Sequence, residues 1–143
     1  MPETLLDSPF PPATLPPVAA RKPTILLVED DAAVRRYLEV ILRRANYEVL
    51  AASNGLEAIK AALSAKIDAV VTDALMPYLN GHELCRYLRA RPELSGLPIL
   101  LLSGLDPNAD APEISEHADA HLTKPVRPEV FTDCLAQLLR ARN

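Results

Sequence analysis

The chain has 143 residues, which suits one domain and a short extension, and 49% of them are hydrophobic with only four Tyr and two Phe. No stretch approaches the roughly 18 consecutive apolar residues of a membrane-spanning helix, and MPETLLDSPFPP lacks the basic and apolar regions of a signal peptide, so the cytoplasm is the expected compartment. A net charge of −4, with 19 acids against 15 bases, gives no support to nucleic-acid binding.

Residues 1–23 hold seven of the fourteen prolines and no hydrophobic period, the pattern of a disordered or polyproline tail serving as a linker. From Thr24 the pattern changes. TILLVED is a short apolar strand ending in acid. AAVRRYLEVILRRAN places Val34, Leu38, Ile41, Leu42 and Ala45 at helical spacing. YEVLAA is a second strand, and Ser53 or Asn54 caps a helix running to about Lys66 with Ile59, Ala62 and Leu63 inward. IDAVVT is a third strand. GHELCRYLRAR is a helix that stops before Pro92. PILLLS and AHLTK are the fourth and fifth strands. Between them, GLDPNADAPEISEHADA carries Pro107 and Pro112, leaving room for a short fourth helix from about Pro112. PEVFTDCLAQLLRAR opens on a first-turn proline, with Val130, Leu135, Leu138 and Leu139 as its inner face.

Strand and helix alternate five times, and three strands are nearly continuous apolar runs, as expected of a parallel sheet covered on both faces. In such sheets ligands bind at the carboxyl ends of the strands. Glu29-Asp30-Asp31 follows the first strand, Asp73 ends the third, Ser103 the fourth and Lys124-Pro125 the fifth. Each has an ordinary explanation alone; Asp31, for instance, suits a helix N-cap. Gathered at one edge they pose an electrostatic problem. Two carboxylates about 4 Å apart repel by roughly 4 kcal/mol at an effective dielectric near 20, so the cluster calls for a cation. An all-oxygen donor set suits Mg²⁺, and a lysine beside a hydroxyl completes a site for phosphoryl oxygens.

ILLVEDD, VVTDALMPYLNG, ILLLSG and HLTKP, with NGLEA on the second helix, stand in an order and at intervals that resemble the receiver domain of two-component response regulators, over residues 24–142. The resemblance implies a flavodoxin-like doubly wound (βα)5 fold with strand order 2-1-3-4-5. It implies that Asp73 accepts a phosphoryl group from a histidine kinase or a phosphotransfer protein. Glu29, Asp30, Asp73 and the backbone carbonyl of Leu75 would then hold Mg²⁺. Ser103 would close on the phosphoryl group, Lys124 would pair with it, and Lys124–Pro125 would be cis.

Two features depart from the family pattern. His121 stands where Tyr or Phe is usual, at the position whose inward swing follows the hydroxyl, and the fourth helix is shortened by prolines. Leu75 and Leu105 flank the site and are expected to hinder an attacking water. Cys85 and Cys134 lack CxxC spacing and read as reduced structural thiols; His82 and His117 read as helix-surface residues. The expected function is a phosphorylation switch rather than a classical enzyme, acting as a monomer or weak homodimer on an unidentified protein effector. Because the chain stops directly after its last predicted helix, a stand-alone receiver is expected. The alternatives are the terminal receiver of a hybrid sensor kinase and a phosphorylation-independent adapter. An aspartyl phosphatase would need Asp-x-Asp, which Asp73-Ala74-Leu75 lacks, and the acidic loop after the first strand would repel the phosphate of FMN.

Overall fold

TILLV, EVLAA, AVVTD, ILLLS and AHLT each form a strand in the computed structural model, which describes residues 21–76, 78–104 and 116–142. We number them β1 (Thr24–Val28), β2 (Glu48–Ala52), β3 (Ala69–Asp73), β4 (Ile99–Ser103) and β5 (Ala120–Thr123). All pairings are parallel and the spatial order is β2-β1-β3-β4-β5, the flavodoxin-like order expected. The chain reverses its direction of travel between β1 and β3, so a crevice opens at their carboxyl ends.

Among the described residues there are four helices: α1 (Ala32–Arg44), α2 (Gly55–Ser64), α3 (Gly81–Ala90) and α4 (Pro128–Arg142). The predicted short helix near Pro112, Leu105 and the tail through residue 20 lie outside the described residues. Alternation along each strand divides the core into two layers. Leu26 and Val28 face Ala58, Ala62, Leu84 and Leu88 of α2 and α3. Ile25 and Leu27 face Leu38, Leu42, Phe131 and Leu135 of α1 and α4. Each fully buried Leu or Phe side chain contributes about 1.5–3 kcal/mol relative to exposure. The two thiols fall in different layers: Cys85 is buried on the inner face of α3, while Cys134 packs half-buried against the α1–α4 layer.

Two predicted helix faces differ from the structure by one residue each. On α4 the inner row is Phe131, Leu135, Leu138 and Leu139, at spacings of four, seven and eight, and Val130 is 42% exposed. On α2 Ala62 and the partly buried Ile59 pack inward as expected, with Ala58 beside them, while Leu63 is 48% exposed. A Cβ on Gly55 would lie 2.6 Å from the Leu79 carbonyl oxygen, so the first turn of α2 is pressed against the loop after β3. His117 lies in a turn ahead of β5, not on a helix.

The amino-terminal edge of the sheet is fastened twice by the same device. Asp68, one residue before β3, accepts the Thr24 amide at 2.7 Å and lies beside the guanidinium groups of Arg21 and Arg142. Asp119, one residue before β5, accepts the Ile99 amide at 2.7 Å and pairs with Arg89 at 2.6 Å. Arg89 also donates to the carbonyls of Ser95, Leu97 and His117. Both aspartates thus satisfy the first amide of a neighbouring strand while an arginine offsets their charge.

Candidate functional site

The crevice between β1 and β3 collects the charges that the sequence places at strand ends. Glu29 leaves β1 buried at 1% exposure, and its hydrogen-bonding groups are all engaged. Its amide donates to Ala52 O at 3.0 Å, and its carbonyl accepts from Arg35 at 2.8 Å. Its Oε1 accepts from Lys124 at 2.9 Å and its Oε2 from the Asp31 amide at 3.1 Å. Asp31 in turn caps α1, accepting from the amides of Ala33 and Val34. Asp30 is exposed, and its carboxylate makes no hydrogen bond or ion pair with another described residue.

Asp73 closes β3 at 6% exposure, in register with Leu102 of β4. Its carbonyl accepts from the Thr72 hydroxyl at 3.0 Å. The start of α3 is set directly against its main chain: a Cβ on Gly81 would run into the Asp73 carbonyl oxygen. Asn80 and Glu83 form a capping box that starts α3 at this point. Lys124 Nζ stands 2.9 Å from Glu29 Oε1 and 3.1 Å from Asp73 Oδ2, bridging the two buried carboxylates. One oxygen each of Glu29, Asp30 and Asp73 lie within 4.8 Å of one another.

These charges act on each other. Burial pushes the Glu29 carboxyl above its ordinary range; the Lys124 hydrogen bond and the Asp31 amide oppose this, and Asp73 reinforces it. Burial alone would lower Lys124, yet the Glu29 hydrogen bond and the two carboxylate charges hold its ammonium above the ordinary value. Three carboxylates against one lysine leave an excess of negative charge, and the donor set is entirely oxygen, which fits a hard divalent cation.

The remaining predicted site residues lie on β4, on β5 and in the segments that follow β3 and β5. Ser103 ends β4 half-buried, opposite Thr123, and its carbonyl accepts the Lys124 amide at 2.7 Å. Lys124–Pro125 is cis. Leu75, two residues beyond Asp73, is 57% exposed. His121 sits half-buried on β5 opposite Leu101, on the face of the sheet that α3 covers. Two contributors carry no sequence signal of their own. Arg35 looks like any arginine on a helix surface, and Gly81 shows its importance only once α3 is docked against Asp73.

Comparison with known proteins agrees with this architecture. The family model described as "Response regulator receiver domain" matches residues 25–136. The chain is 38% identical over 119 residues to the transcriptional regulatory protein ResD of Bacillus subtilis, covering 82% of this chain and 48% of that protein. It is 33% identical over 119 residues to AfsQ1 of Streptomyces coelicolor, covering 82% and 52%. The chain therefore spans about half the length of the curated relatives it matches. A solved structure of a response regulator from Chloroflexus aurantiacus superposes with a TM-score of 0.78 at 33% identity, covering 84% of this chain and 99% of that one. The response regulator TrrA of Thermotoga maritima, solved in complex with Mg²⁺-BeF, superposes with a TM-score of 0.72 at 28% identity, covering 81% and 98%. With a family match over residues 25–136 and the parallel five-stranded order to go with it, the chain belongs to the response regulator receiver domain family.

Proposed function

We propose that this receiver is a phosphorylation-controlled signalling switch in which Asp73 accepts a phosphoryl group. The observation that carries the reading is Lys124 Nζ bridging Glu29 and Asp73 at 2.9 and 3.1 Å, with Asp30 open beside them. One Asp73 carboxylate oxygen attacks the phosphorus of a phosphohistidine on a kinase or phosphotransfer protein. The P–N bond breaks, the imidazole leaves with its electron pair and takes up a proton, and an acyl phosphate remains. Lys124 then turns from the carboxylates to the phosphoryl oxygens, and the Ser103 hydroxyl donates to the same group.

Glu29, Asp30 and Asp73, with the Leu75 carbonyl, are the residues that would hold Mg²⁺, whose charge would offset that of the phosphoryl oxygens. The similar TrrA was solved in complex with Mg²⁺-BeF, which supports Mg²⁺ as the cation. The signal is a population shift between two conformations, reported by Ser103 and His121 to a protein effector. Catalysis is confined to the chain's own phosphoryl transfer and its slow loss. The test is incubation with acetyl phosphate and Mg²⁺ followed by intact-protein mass measurement. Gain of one phosphoryl group, lost in Asp73→Asn, is the expected result; no gain in the wild type would favour a phosphorylation-independent adapter.

A further inference from the structure

Asp30 is the least restrained member of the acidic cluster, yet it must point into it. Its carboxylate is exposed and makes no hydrogen bond or ion pair with another described residue, so what the fold fixes is the direction of its Cα–Cβ bond, set by the two peptide planes on either side of it. The plane after it is held by the Asp31 amide, which donates to Glu29 Oε2 at 3.1 Å. The plane before it carries the Glu29 carbonyl, which accepts from Arg35 at 2.8 Å. Arg35 stands in the first turn of α1, its own amide fixed to the Asp31 carbonyl at 2.8 Å, so the guanidinium is presented by a rigid support.

We infer that Arg35 is a positioning residue for the metal ligand Asp30, acting by clamping the Glu29–Asp30 peptide through the Glu29 carbonyl. The inference rests on the reading of Glu29, Asp30 and Asp73 as the cation site. It runs against simple electrostatics, and that makes it testable by sign. A guanidinium near a cation site repels the incoming ion, so an Arg35 acting through charge alone would weaken Mg²⁺ binding, and its removal would strengthen it. An Arg35 that positions Asp30 does the reverse, because groups that orient metal ligands typically contribute about ten- to a hundredfold in affinity.

The experiment titrates Mg²⁺ alone into the full chain, following the amide chemical shifts of Asp30, Asp31 and Asp73. Arg35→Met keeps the side-chain stem and removes donor and charge; Arg35→Lys restores the charge and one donor. Arg36→Ala removes the same charge one residue along, where the side chain lines a groove between α1 and α4. Arg35→Met should bind Mg²⁺ about tenfold more weakly, Arg35→Lys should fall between it and the wild type, and Arg36→Ala should bind no more weakly than the wild type. With acetyl phosphate, Arg35→Met should need about tenfold more Mg²⁺ for half-maximal labelling yet reach the wild-type extent at saturation.

Equal or tighter Mg²⁺ binding by Arg35→Met overturns the positioning role, as does an equal weakening in Arg36→Ala. The same spectra show whether each variant folds; if Arg35→Met does not, an Arg35→Lys affinity equal to wild type overturns it instead. A wild type that binds no Mg²⁺ would refute the cation site itself, an outcome distinct from failure of the Arg35 role.

Discussion

Replacing Asp73 by Asn should make the metal-free protein more stable, although it removes a buried ion-pair partner. Oxygens of Glu29 and Asp30 lie within 4.8 Å of an Asp73 oxygen, and each repels it by at least about 3.5 kcal/mol at an effective dielectric near 20. Lys124 at 3.1 Å attracts it by about 5.4 kcal/mol on the same scale. Water around exposed Asp30 weakens one repulsion, while burying the carboxylate to 8% side-chain exposure adds a desolvation cost that an amide does not carry. The balance favours Asn by about 1–2 kcal/mol. Urea unfolding followed by circular dichroism, with a chelator present, should show a higher midpoint for Asp73→Asn at an unchanged slope. Mg²⁺ should reverse the order, since a ligand at a hundredfold over its Kd stabilises the binding form by about 2.7 kcal/mol. A lower midpoint for Asp73→Asn in chelator, or equal gains from Mg²⁺ in both proteins, would refute the reasoning.

Two further outcomes follow from the same geometry. The raised Glu29 carboxyl keeps its proton in the folded state after the unfolded chain has released it, so in chelator stability should fall as pH rises from about 4.5 through the folded value. Glu29→Gln should flatten that dependence of urea midpoint on pH, and an unchanged curve would show that Glu29 is not its source. Gly81→Ala should cost about 1–3 kcal/mol, because the added Cβ meets the Asp73 carbonyl oxygen and lies 2.9 Å from Ala74 Cα. Gly96→Ala, with nothing within 4 Å of its Cβ, is the matched control and should be near neutral.

The three central strands were legible because burial on both faces leaves unbroken apolar runs, and α4 began at Pro128 as its first-turn proline indicated. The inner faces of α2 and α4 were less legible. Residues one apart lie only about 100° apart around a helix, and apolar neighbours such as Val130 and Phe131 both satisfy the spacing. Only the packing of the whole helix against the sheet decides between them. The acidic cluster was readable since each carboxylate follows its own strand. Arg35 was not, because what distinguishes it from Arg36 is a backbone carbonyl six residues earlier. Asp68 and Asp119 escaped notice for a similar reason: each is a lone acid in front of a strand, and the amide it accepts belongs to a different strand.

The placement of the two thiols has a practical side. With the whole sheet between Cys85 and Cys134, they cannot reach the Cα separation of about 7 Å that a disulfide tolerates, so oxidation within one molecule cannot staple it. Cys85 is sealed at 0% exposure, whereas Cys134 is partly open, its thiol pushed upward by burial and therefore slow to react. A maleimide dye would find a single reachable sulfur, on α4. The native chain thus supplies its own fluorescent reporter position.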